Sequence, residues 1–193
     1  MFHFFAYISR MKYICRWGLM RNTRNENLSE HSFETAVIAH SLAILRNTRF
    51  GGNVNPERAA VLALFHDSSE IFTGDLPTPV KYFNPQIRTA YGKVEKVAKN
   101  KLLSFLPDDI KPSYNTILNA TGEGDKELLP LIKAADKLSA IIKCVEEKRA
   151  GSSEFSKAEI SLRKTLKEMA LPEADLFVKE FLPSYSLTLD EQD

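Results

Sequence analysis

The sequence has few cysteines and no excess of either charge. Its two cysteines, Cys15 and Cys144, are too few for a disulfide framework, which is typical of a protein kept in a reducing compartment. We expect both to be reduced thiols in the core. Lysine and arginine total 26 and aspartate and glutamate 25, so there is no net positive field to attract a nucleic-acid polymer. These shortages exclude a disulfide-rich scaffold and favour a small-molecule substrate.

Long hydrophobic segments are also missing. No apolar stretch approaches the roughly 20 residues that a membrane-spanning helix needs. The apolar start, residues 1–8, has no basic segment before it and is followed closely by Arg10 and Lys12, unlike a secretory signal. We therefore predict a cytoplasmic protein with no membrane partner. Its 193 residues, 44% of them hydrophobic and 26% charged, suit one folded domain over residues 1–193.

Helical periodicity dominates what is present. Apolar residues recur at steps of three and four, while the alternation of a half-buried strand is nearly absent, which predicts an all-α fold. Asn27 and Glu30 form a plausible capping pair for a helix to about Arg46. Asn55 followed by Pro56 predicts another helix, which should end near Phe72.

Prolines and glycines divide the rest of the chain. The segment 74–85 contains three prolines and predicts a rigid, ordered loop, because proline cannot continue a helix. Asn84 and Pro85 then predict a helix to about Leu106. Further helices are expected over 112–120 and 126–149. Another should end at about Met169, and a last one should lie before Pro183.

A histidine and an aspartate are adjacent in an apolar stretch. His66 and Asp67 follow a run of apolar residues, and burying two polar groups there requires partners. If the helix continues, Glu70 lies one turn after His66 on the same face. A His–Asp dipeptide alone is more often a core histidine with an ion-pair partner.

Two further residues extend the pattern. His31 lies near the start of the earlier helix. Asp136 lies on a long helix and shares a face with Leu129, Ile132 and Ser139, so we expect its carboxylate to point toward the core, where it must be paired, hydrogen-bonded or bound to metal. A salt bridge to a lysine or arginine is the simpler alternative.

Together these residues form the ordered pattern H…HD…D, which resembles the HD-domain superfamily of metal-dependent phosphohydrolases. The resemblance implies an HD-type helical bundle with one divalent cation held by His31, His66, Asp67 and Asp136. Only two other histidines exist, His3 and His40, and we expect both to be structural and the site to hold a single metal. The mixed nitrogen and oxygen ligands suit Mn²⁺, Co²⁺, Ni²⁺ or Fe²⁺.

A narrower resemblance, to bacterial HD-domain 5′-deoxynucleotidases, is carried by three stretches: 16–22, 27–32 and 73–83. Gly18 stands where that family has proline. The resemblance implies that deoxyribonucleoside 5′-monophosphates are the substrate and that the protein is a homodimer. It also implies a substrate pocket made by Arg16, Trp17, Asp67, Asp75, Leu76, Pro77, Thr78 and Asp136.

The resemblance also suggests catalytic roles. Arg16 would orient and balance the phosphate charge, Asp67 would ligate metal and face the reacting centre, and Glu70 would act as acid or base. A surface glutamate is the alternative for Glu70. Two other functions stay open: an HD-domain hydrolase of nucleoside triphosphates, cyclic nucleotides or guanosine polyphosphates, and a helical interaction module without catalysis.

Overall fold

Within residues 1–81 and 83–193, which a computed structural model of the chain describes, there are ten α-helices and no β-strand. The all-α prediction is confirmed. The helices are α1 (Phe4–Ile8), α2 (Leu28–Arg49), α3 (Pro56–Leu64), α4 (Glu70–Thr73), α5 (Thr78–Lys81), α6 (Pro85–Leu103), α7 (Lys111–Leu118), α8 (Asp125–Arg149), α9 (Ser156–Glu168) and α10 (Pro172–Glu180).

The N-terminal caps explain where the main helices begin. The Asn27 side chain accepts the amides of Ser29 and Glu30, and the Glu30 carboxylate accepts the Asn27 amide. This reciprocal capping box satisfies backbone donors that the first turn leaves unpaired. Helix α3 starts with Pro56 behind its cap Asn55, as predicted.

Helices α2, α3 and α8 surround the larger hydrophobic core. Fully buried side chains from two of them, Leu42 on α2 and Leu131, Leu138 and Ile141 on α8, meet at its centre. A smaller cluster around Phe4 and Leu102 joins α1 to α6. Because α8 packs directly on α2, residues more than 100 positions apart in sequence become neighbours at one end of this core.

Two predicted elements are wrong in the structure. The expected continuous helix over 56–72 ends at Leu64, is followed by turns over 65–69, and resumes only as α4. The expected loop over 74–85 contains one helical turn, α5, with Pro79 as its second residue. Proline is tolerated there because the N–H groups of a first helical turn make no bond within the helix.

Exposure and the C-terminal segment bring smaller corrections. Cys144 is buried as predicted, but Cys15 is exposed. Leu129 is 37% exposed and does not belong to a buried face with Asp136. Pro183 lies within a 3₁₀ turn, Leu182–Ser186, that follows α10. Among the described residues, no helix combines the length and apolar character that a membrane crossing requires.

Candidate metal centre

Three separate parts of the bundle bring four polar side chains together. His31 lies in the first turns of α2, His66 and Asp67 in the turns after α3, and Asp136 midway along α8. Nε2 of His31 lies 3.6 Å from Oδ2 of Asp67 and 3.3 Å from Oδ1 of Asp136. Nε2 of His66 lies 2.9 Å from the same Asp67 oxygen. His31, His66 and Asp67 therefore converge on one point, with Asp136 beside them on the His31 side.

The turns after Leu64 aim His66 at this point. The amides of His66, Ser68 and Glu70 each bond to the carbonyl three residues earlier, which tightens the backbone relative to an α-helix. The His66 Nδ1 atom lies 2.6 Å from the Ala63 carbonyl oxygen. A carbonyl only accepts, so Nδ1 carries the proton. Nε2 of His66 is buried and lies 2.9 Å from Oδ2 of Asp67, so it is placed either to carry a proton shared with that carboxylate or to bind a cation beside it.

His31 has the same arrangement, built from different partners. Its Nδ1 lies 3.0 Å from Oγ of Ser139. The Ser139 hydroxyl donates its only proton to Oε2 of Glu34, at 2.5 Å. With that proton committed, Ser139 can accept from Nδ1 of His31, which favours the tautomer whose Nε2, facing the two aspartates, carries no proton.

The charges of the site favour a cation between these groups. Burial lowers the pKa of His66, but the negative charges of Asp67 and Asp136 outweigh burial and raise that pKa to about 9. Burial and the positive charge of Arg16 lower the pKa of His31 to about 4. Although burial opposes it, the charge of His66 lowers the pKa of Asp67 to about 2. The carboxylates are thus ionised and attract positive charge.

Asp136 both forms a salt bridge with a lysine and faces the candidate ligands. Its Oδ1 faces His31, while its Oδ2 accepts from Nζ of Lys137 at 2.8 Å. The Asp136 side chain is 27% exposed, so it lies at the rim of the core and not within it. One carboxylate oxygen is therefore held in place by a lysine while the other faces the histidines.

This donor set fits a divalent metal ion. His31, His66 and Asp67 each offer a ligand atom within 4.8 Å of the others, and Asp136 offers a fourth oxygen beside His31. Two imidazole nitrogens and two carboxylate oxygens are ligands that first-row transition metals accept. His3 and His40 do not belong to this group.

Glu70 lies near this group, but not where a continuous helix would put it. It begins α4, and only 5% of the residue is exposed. Its Oε1 lies 3.9 Å from Nζ of Lys81, and its Oε2 has no hydrogen-bond partner among the described residues. Burial, reinforced by the negative charges of Asp67 and Asp75, raises the pKa of Glu70 to about 9. A carboxyl in this setting holds a proton at neutral pH.

Arg16 and Trp17 are held together by one carboxylate. Oε2 of Glu26 accepts from Nη1 of Arg16 at 3.0 Å and from the Trp17 indole nitrogen at 2.9 Å. The Trp17 backbone has φ of +59°, a left-handed conformation that is costly for a bulky residue. The Trp17 amide donates to Oδ2 of Asp75 at 3.3 Å. The predicted substrate residues from two distant segments are thereby joined.

The remaining predicted pocket residues follow Asp75. Leu76 and Pro77 are half-buried. The Pro77 carbonyl, just before α5, accepts hydrogen bonds from the amides of Val80 and Lys81 in that helix. The predicted phosphate contact of Thr78 concerns a side chain outside the described residues.

Three residues that hold the site were not singled out from the sequence as site residues: Glu26, Glu34 and Ser139. Glu34 and Ser139 are 105 residues apart, and nothing in either local pattern indicates their contact. Ser139 could have been suspected, since it lies almost one turn after Asp136 on the same side of α8.

The sequence also resembles characterised proteins over nearly its whole length. Residues 3–185 match the family described as 5′-deoxynucleotidase YfbR-like. A 5′-deoxynucleotidase of Erwinia tasmaniensis is 50% identical over 189 residues, covering 98% of this chain and 95% of that protein. One from Photorhabdus laumondii is 52% identical over 191 residues, covering 99% and 96%.

Solved structures share the fold. An HD-domain phosphohydrolase from Listeria innocua superposes with a TM-score of 0.79 at 23% identity, over 98% of this chain and 91% of that one. A cyanophage S-2L HD phosphohydrolase, solved with dA and one catalytic Zn²⁺ ion, gives a TM-score of 0.67 at 19% identity, over 93% and 96%. At these identities the likeness identifies the HD-type helical fold.

Proposed function

The chain belongs to the YfbR-like family of 5′-deoxynucleotidases, and from that premise we propose that it hydrolyses deoxyribonucleoside 5′-monophosphates to deoxyribonucleosides and orthophosphate at a site built on one divalent metal ion. The observation that carries the site is the convergence of Nε2 of His31 and Nε2 of His66 with the carboxylates of Asp67 and Asp136. The protein is accordingly a phosphomonoester hydrolase.

His31, His66, Asp67 and Asp136 are the proposed ligands. When bound, a divalent ion supplies Lewis-acid polarisation of a phosphate oxygen and lowers the pKa of coordinated water. Mn²⁺ and Co²⁺ are the ions we expect to serve best, because both accept mixed nitrogen and oxygen ligands. Asp67 has a second role, since its carboxylate lies between the two histidines and faces the reacting centre.

Arg16 is the proposed phosphate-binding residue. Glu26 occupies Nη1 of Arg16, whereas Nε is buried and has no hydrogen-bond partner among the described residues. A buried guanidinium donor without a partner suits a dianionic phosphate. Arg16 would balance the negative charge that develops on the phosphate oxygens during hydrolysis.

Trp17 and Asp75 are proposed to form the sugar pocket, together with Leu76, Pro77 and Thr78. The contact between the Trp17 amide and Asp75 keeps the indole close to the segment that would contact the sugar. A ribose 2′-hydroxyl would meet this wall or lack a partner, which disfavours ribonucleotides.

Glu70 is proposed as the acid of the reaction. A carboxyl that keeps its proton at neutral pH suits donation to the departing 5′-oxygen better than removal of a proton from water. Lys81, 3.9 Å from its Oε1, can stabilise the carboxylate that remains after donation.

Phosphate release from a panel of ribo- and deoxyribonucleoside mono-, di- and triphosphates tests the function. We expect orthophosphate from deoxyribonucleoside monophosphates, loss of activity with chelator and recovery with Mn²⁺ or Co²⁺. Equal turnover of adenosine and deoxyadenosine monophosphates would contradict the proposed sugar pocket. Tripolyphosphate from a triphosphate would favour another HD-domain hydrolase, and an inert, metal-free protein would indicate an interaction module.

Two further properties are proposed. We expect the protein to act in the cytoplasm, in line with its two cysteines, and, from the resemblance alone, to form a homodimer. Light scattering of the purified protein would measure its mass directly, and a monomer at working concentrations would contradict the second expectation.

A further inference from the structure

His31 is the one proposed ligand whose tautomer depends on side chains far away in sequence. Its Nδ1 contacts Ser139 on α8, and Ser139 contacts Glu34, one turn after His31 on α2. His66, by contrast, is fixed by a backbone carbonyl of its own turn. Ser139 is fully buried and Glu34 is half-buried, so this contact chain crosses the α2–α8 interface.

We propose that Glu34 and Ser139 are positioning residues that hold His31 with its proton on Nδ1 and so keep Nε2 free for the divalent ion. The proposal rests on the metal site proposed above and adds to it two side chains, Glu34 and Ser139, that touch neither metal nor substrate. We call Glu34, Ser139 and Nδ1 of His31 the relay.

The direction of each hydrogen bond makes the relay specific. An ionised carboxylate only accepts, so Glu34 obliges Ser139 to donate toward it. A serine hydroxyl has one proton, and once that proton is committed Ser139 offers only lone pairs to His31. Without Glu34, the Ser139 hydroxyl is free to rotate and donate to Nδ1, which would move the imidazole proton to Nε2 and block coordination.

Nε2 of His31 faces the Asp67 and Asp136 oxygens, between which the ion would bind, and the remaining polar neighbour, Thr35, does not select a tautomer. Oγ1 of Thr35 lies 3.4 Å from Nδ1 and 3.4 Å from Nε2 of His31. These long, equal distances favour neither nitrogen. On the Nδ1 side of the ring, the relay is therefore the contact that fixes the proton of His31.

Metal affinity of the purified full chain tests the relay without reference to turnover. Metal-free protein is titrated with Co²⁺ against a competing chelator at about pH 8, where an acceptor carboxylate is ionised. Because loss of a partner behind a ligating histidine typically weakens metal binding about 10- to 100-fold, we expect that loss for Ser139→Ala. Glu34→Ala should weaken binding about tenfold, whereas Glu34→Gln, which keeps an acceptor oxygen, should stay within about threefold of wild type.

Ser32→Ala is the matched control. Ser32 is next to His31, is equally buried, and its hydroxyl has no partner among the described residues. It should bind Co²⁺ as tightly as wild type. The double variant Ser139→Ala with Glu34→Ala should be no weaker than Ser139→Ala alone, because both changes break one relay.

Each result has a defined meaning. Wild-type affinity in both Ser139→Ala and Glu34→Ala overturns the relay, as does an equal loss in Ser32→Ala, which would indicate packing alone. A wild-type protein that binds no Co²⁺ overturns the metal site and the relay with it. As a second readout, the Nδ1–H proton of His31 in the Zn²⁺-loaded protein should exchange slowly by NMR, and should exchange faster in Ser139→Ala.

Discussion

Glu70 is buried close to Asp67, yet its carboxylate approaches Lys81 rather than either histidine. Its substitution can therefore separate chemistry from metal binding. We expect Glu70→Gln to lower kcat by about 100-fold or more, in line with loss of a general acid, with Co²⁺ affinity nearly unchanged. Glu95→Gln is the control, because Glu95 also pairs with Lys81, at 3.0 Å. Full turnover by Glu70→Gln would remove Glu70 from the mechanism.

Glu26 is a second residue whose role can be isolated. Its carboxylate aligns Arg16 and Trp17 through one oxygen. Since a hydrogen bond to a charged group contributes about 1.5–3 kcal/mol, Glu26→Gln should raise KM for a deoxyribonucleoside monophosphate roughly 10- to 100-fold. Glu146 is an exposed carboxylate that lines a surface cleft together with Glu26, and Glu146→Gln should leave KM unchanged. Equal effects would point to general electrostatics instead.

Glu34 should also make the stability of the protein depend on pH. Burial raises its pKa to about 7, above the value in the unfolded chain. The folded state therefore binds the proton more tightly, and this contribution to stability is present at low pH and lost as pH rises through 7. Relative to wild type, Glu34→Gln should gain roughly 1–2 kcal/mol in unfolding free energy between about pH 5 and 8. Denaturant titrations across this pH range measure the unfolding free energies of both proteins. A constant difference between wild type and Glu34→Gln at every pH would contradict the prediction.

The N-terminal caps of α2 and α6 offer a matched comparison. Asn27 and Asn84 both cap a helix with their side chains, and loss of such a cap costs about 1 kcal/mol. We expect Asn27→Ala and Asn84→Ala to lower the unfolding free energy by similar amounts. Only Asn27→Ala should weaken Co²⁺ binding, because the frayed turn carries His31, whereas α6 carries no candidate ligand. Equal affinities would show that α2 is held by packing alone.

Local signals predicted some element boundaries and not others. The capping box at Asn27 and the Asn55–Pro56 start act within a few residues, and both are present. The end of α3 at Leu64 has no glycine or proline to signal it. There the backbone turns so that His66 can bond to Ala63 and reach Asp67, and contacts from distant helices favour that arrangement over a continuous helix.

The same distinction applies to the site. The ordered pattern of His31, His66, Asp67 and Asp136 was visible in sequence because ligands must be of particular types. The side chains behind them, such as Glu34 and Ser139, were not, since a serine or glutamate is ordinary on any helix and their contact is made only when α2 and α8 pack.

At the scale of the whole molecule, the metal should stabilise the fold. An ion that binds only the folded state at about 100 times its Kd adds about 2.7 kcal/mol, which for a chain of this size corresponds to roughly 5–10 °C in Tm. We expect Co²⁺ to raise Tm by this amount, and chelator to reverse the rise. Asp136→Ala should lose most of the shift, whereas Asp175→Ala, an exposed aspartate on α10, should keep it.

The distribution of the ligands also bears on biosynthesis. Three proposed ligands lie before residue 68, but Asp136 and the relay serine lie on α8, which a ribosome releases only after two-thirds of the chain has been made. The nascent N-terminal part holds His31, His66 and Asp67 on a surface that still lacks its packing partner. On the proposed ligand set, we expect metal acquisition to be coupled to docking of α8 and the holoenzyme to form late in translation or after it.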